Sequence, residues 1–578
     1  MRRSSLRRTR LLIAALAVPL IGGAVVLPSA SAQPAALSGP ATEFTVLASG
    51  EQSVAAAEQA IREAGGTVVR TNTAVGLITA TAPANGFVQR VSADDAVYGA
   101  AKATAIGHAP TGKVAPKRPD VEKEGRQAPK SSGATTGATG TDPLDDQLWG
   151  LKSVRSDMSR TVQPGDKRVK VGIIDTGVDG THPDIAPNFD RGASRNFTRD
   201  IPTDPTGAVV DGPCEFRGCV DPADHDDNGH GTHVAGTIAA AADGFGISGV
   251  APNVTIVNLR AGQDYGLFFL QPVVDALTYA GDAGIDVVNM SFYVDPWLYN
   301  CASNPADSAE QQIEQRTITE AMTRAMNYAY RKGVTEVAAL GNQHTDLGAP
   351  QPDTTSPDYP ASSAHPRTID NATCLSLPVE GPHTIGVSAF GPSGAKADYS
   401  NYGLEQISVS APGGFFRDGF GTDWYRTNEN MILSAYPRNV GVAEGMIDAD
   451  GNVTPEGAAA GVQKAVTKDG RAAYYQFLQG TSMATPHASG VAALIVSEYG
   501  RAGRGGITMS PDAVQRIIEG TAAPIACPVP ATVDYLDEGR DDSYTATCQG
   551  SPSFNGFYGH GAVDAYAAVT RGAAYLRG

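Results

Sequence analysis

From residue 142 onward the chain alternates short apolar runs with longer amphipathic stretches. The runs Val169–Ile174, Val254–Leu259, Asp286–Phe292, Val334–Ala339, Thr384–Phe390 and Ile407–Ser410 are rich in Val, Ile and Ala, and most lack the alternation of a half-exposed strand. Leu270–Ala283, Ala309–Lys332, Ser482–Tyr499 and Asp512–Gly520 read as helices lying between or after them. Buried strands alternating with helices predict an α/β fold, a mostly parallel sheet flanked by helices. Such sheets place their active sites at the carboxyl ends of strands.

A smaller unit precedes this body. Residues 42–102 read as strand (43–48), helix (52–64), strand (from Thr67), strand (75–80), helix (about 84–92) and strand (near Val97). That order predicts a ferredoxin-like α+β domain. Residues 103–141 are rich in Pro, Gly, Thr, Ser and Lys with almost no large apolar residue, which predicts a flexible linker open to proteolysis. At the start, Arg2, Arg3, Arg7, Arg8 and Arg10 precede an apolar run from Leu11 to Leu27 and then Ala30-Ser31-Ala32. This is the layout of a secretory signal peptide over residues 1–32, and Pro19 and Gly22-Gly23 argue against a retained anchor. The expectation is a secreted, extracellular protein with no membrane association once the signal is removed.

Export changes how the six cysteines read. In an oxidising compartment an even number predicts disulfides, and pairing sequence neighbours gives Cys214–Cys219, Cys301–Cys374 and Cys527–Cys548 as the simplest of 15 connectivities. The 578 residues suggest more than one domain, and an apolar content of 41% argues against disorder. Net charge is −17, and the acid lies almost wholly in the body after residue 140, which disfavours nucleic acid or an anionic membrane as the main partner.

Three separated polar segments carry candidate chemistry. Asp175 ends the apolar strand Val171–Ile174 and enters a Thr-Gly turn, where a carboxylate is either catalytic or a turn cap. His230 and His233 lie in Asn228-Gly-His-Gly-Thr-His-Val-Ala-Gly-Thr237 at the start of a small-residue apolar helix. This spacing leaves two readings, a metal-binding pair or a single base beside a packed neighbour; the glutamate of His-Glu-x-x-His is missing. Ser482, in Gly480-Thr-Ser-Met-Ala-Thr-Pro-His487, stands at a helix amino terminus, as a cap or as a nucleophile where N–H groups and dipole favour negative charge. Gly480 would let a substrate backbone come close. A serine needs a base, a histidine titrates in the right range, and a carboxylate fixes the histidine tautomer.

In the order Asp, His, Ser, the segments Asp175–Asp179, His230–Thr237 and Gly480–His487 closely resemble the three signatures of subtilisin-like serine peptidases. The resemblance runs from about Gln147 to the end and includes Gly249-Val-Ala-Pro252, Asp286–Ser291 and Tyr558–Asp564. It implies that Asp175 orients, His230 acts as general base and then acid, and Ser482 attacks the scissile carbonyl. Asn342 matches the family's side-chain oxyanion donor. Residues 42–102 would be an inhibitory propeptide, the chain's own inhibitor and folding aid, and Ser482 would cut the linker. Polypeptides would be the substrates, a monomer the working unit, and no cofactor would enter the chemistry. A structural Ca²⁺ is implied at Gln147, Asp184 and Asp243, although Ala242 departs from the family's more polar loop.

Peptide would pair with Ser291, Phe292 and Tyr293, beside Gly480. Here Ser291-Phe-Tyr-Val294 replaces the family's Ser-Leu-Gly-Gly, so the side-chain pockets should be reshaped. Two insertions, about 295–330 and 415–475, carry Trp297, Tyr299, Trp424 and Tyr425 near the cleft in sequence order. Three other readings compete: a non-catalytic binding protein on the same fold, an ester hydrolase, for which no Gly-x-Ser-x-Gly elbow is found, and a zinc peptidase, which would need His-Glu-x-x-His.

Overall fold

A computed structural model describes residues 37–102, 121–127, 142–203, 211–358, 363–503 and 506–576. The signal-peptide segment 1–32 lies outside these, as do 103–120 and 128–141 of the linker. Every apolar run of the body becomes a central strand. They are β5 (Lys170–Ile174), β7 (Thr255–Arg260), β8 (Val287–Met290), β9 (Thr335–Ala339), β10 (Thr384–Phe390) and β11 (Val409–Pro412). With the two-residue β6 (Arg195–Asn196) at one edge, they form one parallel sheet in the order β11-β10-β9-β8-β5-β7-β6. Their residues are almost wholly buried because helices cover both faces, which is why the runs do not alternate.

One apolar layer packs α3 (His230–Ala239) and α6 (Thr481–Tyr499) against the sheet, and the other packs α4 (Leu270–Ala283) and α5 (Ala309–Arg331). Helix α6 buries every residue from Thr481 to Val496, so it has no solvent face to mark it by periodicity. Helix α5 does have one, and Ser308 and Gln311 close its start as a capping box. Among the described residues, no helix is long and apolar enough to cross a membrane.

The small N-terminal unit has β1 (Ser38–Ala48), α1 (Val54–Glu63), β2 (Thr67–Asn72), β3 (Leu77–Asn85), α2 (Phe87–Val91) and β4 (Val97–Lys102). Its antiparallel sheet runs β2-β3-β1-β4, the ferredoxin-like order. It rests on α4 and α5: Asn72 donates to Asp275 at 2.8 Å, Arg70 pairs with Asp275 at 3.0 Å, and Arg324 donates to the Ala48 carbonyl at 2.8 Å.

The six cysteines pair as sequence neighbours, Cys214–Cys219, Cys301–Cys374 and Cys527–Cys548. Two readings need correction. Trp297 and Tyr299 are buried, and Trp297 lies under the Arg367 guanidinium, so they are core and not substrate contacts. The reading of 103–141 as a flexible linker also fails over Val121–Gln127. These residues form a 3₁₀ segment bound to the body, through Lys123 to Glu444 at 2.9 Å and through Gln479 to the Val121 carbonyl at 2.9 Å. Its charged residues look solvated in sequence, but each Glu meets a partner in the body.

Candidate active site

Asp175, His230, Asn342 and Ser482 meet at the carboxyl edge of the central strands. Strand β5 delivers Asp175 one residue past its end. Asp175 is fully buried, and its Oδ1 accepts from Thr176 N at 2.8 Å and bonds His230 Nδ1 at 2.8 Å. Helix α3 brings His230 there because Asp226 holds its first turn, accepting from Gly229 N (2.9 Å), Thr232 N (3.0 Å) and Thr232 Oγ1 (2.6 Å). Gly231 lets the two elements touch, since a Cβ on it would fall 2.1 Å from the Gly177 carbonyl. His233 is the packed neighbour and no metal ligand: its Nε2 bonds the Ile432 carbonyl at 3.0 Å, and burial pushes it down to about 3.

Ser482 sits in the first turn of α6. Its backbone carbonyl accepts from Ser291 Oγ at 3.1 Å, and its own Oγ lies 3.4 Å from the Ser291 carbonyl. Ser291 therefore ties the first turn of α6 to the end of β8. Asn342 follows β9; its Oδ1 accepts from Thr481 N (2.9 Å) and Thr481 Oγ1 (2.8 Å), so its Nδ2 is turned toward the Ser482 side chain. Gly480, at φ +151°, leaves this space open: a Cβ there would stand 3.3 Å from Asn342 Nδ2.

A fifth group, which sequence reasoning did not single out, completes the cluster. The Glu122 carboxylate accepts from Ser482 Oγ at 2.7 Å and Asn342 Nδ2 at 3.3 Å, and its Oε2 lies 3.5 Å from His230 Nε2. It thus bridges the hydroxyl and the imidazole. Burial opposes charge on both His230 and Glu122. The Asp175 and Glu122 carboxylates nevertheless hold the imidazolium well above the usual histidine range, while His230 and the Ser482 hydroxyl hold Glu122 below the ordinary carboxylate range. Both carboxylates thus favour the protonated imidazole over the neutral one. A Glu-Lys-Glu triplet in a stretch otherwise poor in acid was the available signal.

A cavity of about 720 Å³ opens beside the cluster, lined by Ser291, Phe292 and Tyr293, with Asp264, Phe268 and Asp295. Phe292 stacks on Phe268 with centroids 4.2 Å apart, and Tyr293 OH donates to Asp358 Oδ2 at 2.9 Å, so both side chains are fixed on the cavity wall.

The expected calcium ligands come together in part: Asp243 lies close enough to Asp184 and to Asp142 for its charge to act on both. Asp243 is exposed, and Gln147 Oε1 faces Gln463 Nε2 at 3.4 Å. Asp184 does fit: Oδ2 accepts from Ile247 N (3.0 Å) and Tyr475 OH (2.8 Å), while Oδ1 is buried without a partner. Asp142, missed at the linker boundary, likewise buries an unpartnered Oδ2. Burial raises Asp184 to about 7 and Asp142 to about 6, and the neighbouring Asp243 carboxylate pushes both the same way. By contrast, the cluster Asp200, Asp221 and Asp264 already holds the buried Arg260 guanidinium, which bonds Asp221 and Asp264.

A family model described as "Subtilase family" matches residues 166–561. Thermitase of Thermoactinomyces vulgaris is 27% identical over 410 residues, covering 71% of this chain and 99% of its own. The thermophilic serine proteinase of Bacillus sp. (strain AK1) is 27% identical over 399 residues, covering 69% of this chain and 66% of its own. Among solved structures, the epidermin leader peptide processing serine protease of Staphylococcus aureus aligns with TM-score 0.58 at 20% identity, over 92% of this chain and 98% of its own, a likeness of fold.

Proposed function

The chain belongs to the subtilase family and is a serine-type endopeptidase; from that premise we propose that it is secreted as a self-processing precursor and cuts polypeptides through Asp175, His230 and Ser482. The observation that carries this reading is the 2.8 Å bond between Asp175 Oδ1 and His230 Nδ1, with His230 Nε2 and Ser482 Oγ facing one carboxylate. Once Glu122 leaves, His230 Nε2 takes the Ser482 proton as Oγ attacks the scissile carbonyl. The negative charge that develops on the carbonyl oxygen falls between Asn342 Nδ2–H and the N–H groups of the α6 amino terminus, the space Glu122 occupies in the precursor. His230 then protonates the leaving amine, and water, deprotonated by the same imidazole, releases the acyl group. Asp175 holds the tautomer throughout.

Residues 42–102 serve as the propeptide, docked on α4 and α5, and Glu122 is the catch that keeps the base charged. Wild-type chain expressed in a protease-free host is expected to appear in the medium with an N-terminus within 103–141, and Ser482→Ala to retain the 42–102 domain. Normal maturation of the alanine variant would refute self-processing.

The catch makes a pH prediction. A carboxylate beside His230 raises its pKa, so the precursor's base is neutral only at higher pH. Glu122→Gln lowers that pKa, and the rate of precursor loss is expected to reach its plateau at lower pH. Superimposable pH–rate profiles would contradict it.

Asp184 and Asp142 would hold a structural Ca²⁺, whose hard charge suits buried carboxylate oxygens. At about 100 times its dissociation constant such an ion contributes about 2.7 kcal/mol, or several degrees of Tm for a domain of this size. Excess EDTA is expected to lower the wild-type Tm by that much and to leave Asp184→Asn unmoved. A wild-type Tm indifferent to chelator would remove the ion.

A further inference from the structure

We propose that Arg417, Arg540 and Gln479 form a substrate subsite for a carboxylate, which Glu124 of the linker fills in the precursor. The inference rests on the endopeptidase reading above and adds a substrate class to it. Four donors converge on this one side chain. Glu124 Oε1 accepts from Arg417 Nε at 2.7 Å and also from its Nη2; Oε2 accepts from Arg540 Nη2 at 2.8 Å and Gln479 Nε2 at 3.1 Å. Both guanidinium groups are largely withdrawn from water, with side-chain exposures of 12% and 8%.

The pocket is built by the body and not by its occupant. Arg540 Nε is held by buried Asp398, and its guanidinium lies over the Tyr544 ring. Arg417 Nη1 donates to the Glu538 and Gly539 carbonyls. Gln479 Oε1 accepts from Phe416 N at 2.6 Å, which points its Nε2 at the carboxylate.

The charge count identifies the ligand. Asp398 neutralises one of the two guanidinium groups, Glu538 meets Arg417 through its backbone carbonyl, and the ammonium of Lys396 lies buried beside Asp398. With Glu124 in place the charges of Arg417, Arg540, Asp398 and Glu124 cancel. When the linker leaves, Arg417 loses its carboxylate partner, which an incoming carboxylate replaces. Two N–H donors on each of two oxygens, three of the four from guanidinium groups, suit a carboxylate in particular.

The location fixes where on a substrate that group must lie. Gln479 is three residues before Ser482, and Glu124 is two residues after Glu122, which touches the nucleophile. Two residues span at most roughly 7 Å of chain. The recognised group is therefore within about two residues of the scissile bond. The cavity lined by Ser291, Phe292 and Tyr293 includes Glu122 and Lys123 but not Glu124, Arg417 or Arg540, so this subsite is separate from it.

The test uses the mature enzyme and matched peptides that carry Glu or Gln at each position on either side of one cleavage point. A further pair ends there in a free carboxylate or its amide. We expect one position at which Glu exceeds Gln at least about tenfold in kcat/KM, and expect Arg417→Gln to collapse that ratio toward one. A preference carried by the free carboxylate alone would overturn the side-chain assignment. Should Arg417→Gln fail to fold, wild type is challenged with a capped peptide of the Val121–Gln127 sequence. That peptide should inhibit, and its form with Gln in place of Glu124 should do so at least about tenfold less well. Equal Glu and Gln turnover at every position, with equal inhibition by both peptides, overturns the subsite. Turnover that persists undiminished in Ser482→Ala would instead break the reading of Ser482 as the nucleophile.

Discussion

Replacing His230 with Ala is expected to lower kcat on a peptide substrate about 10⁶-fold, and Ser482→Ala to do the same, with the double variant hardly worse than either. The physical reason is that the two side chains perform one act. Without the imidazole the hydroxyl keeps its proton, and without the hydroxyl the imidazole has nothing to activate. A factor of 10⁶ is about 8 kcal/mol of barrier, far more than any single contact in the cluster supplies. Asp175→Asn should cost less, about 10⁴-fold, because it changes the tautomer and leaves the groups in place. Single-turnover kinetics with a fluorogenic peptide check all four variants. Additive losses in the double variant would mean that the two residues do not act as a unit.

Asn342→Leu is expected to lower kcat about 10²–10³-fold, or 2.7–4 kcal/mol, with little change in KM. Its Nδ2 points to the space where negative charge develops only in the transition state, so ground-state binding is not at stake. Leucine also removes the acceptor for Thr481 N and Oγ1, and loss of such bonds costs about 1 kcal/mol of stability. A kcat loss far larger than the Tm change would identify a charge-stabilising role. Matched losses would reduce Asn342 to a brace for the nucleophile's helix.

Much of the fold was legible in the chain. Thr384–Phe390 and Leu270–Ala283 are found at the boundaries their apolar pattern suggests, because each is punctuated by turn residues and fully or half buried. The three-stranded antiparallel sheet of Ile432–Tyr436, Gln463–Val466 and Ala472–Leu478 was not legible. It spans the second insertion and runs past its end to Leu478, from pairing that no local period announces. The short β6 escaped for the same reason.

The site divides along similar lines. Asp175, His230 and Ser482 each sit in a glycine-flanked segment at the end of an apolar element, so position and chemistry agree before any coordinates. Ser291, read as a substrate contact, turns out to tie β8 to the Ser482 backbone, a role set by a partner 191 residues away. Glu122 and Glu124 left only a faint signal, a Glu-Lys-Glu triplet in a Lys- and Pro-rich stretch that looks solvated. What orders them lies in the body: an imidazole, a hydroxyl and two arginines. For calcium, Gln147 turns to Gln463 while Asp243 stays near Asp184, because side-chain direction, which decides ligation, is not written in spacing. Asp142 was passed over because it borders the linker.

The most direct measurement locates a fluorophosphonate adduct on the mature enzyme by peptide mass spectrometry. The account predicts a single adduct on Ser482, abolished by His230→Ala and slowed by Asn342→Leu. An adduct on another serine, or labelling of Ser482 that persists unchanged without His230, would contradict it.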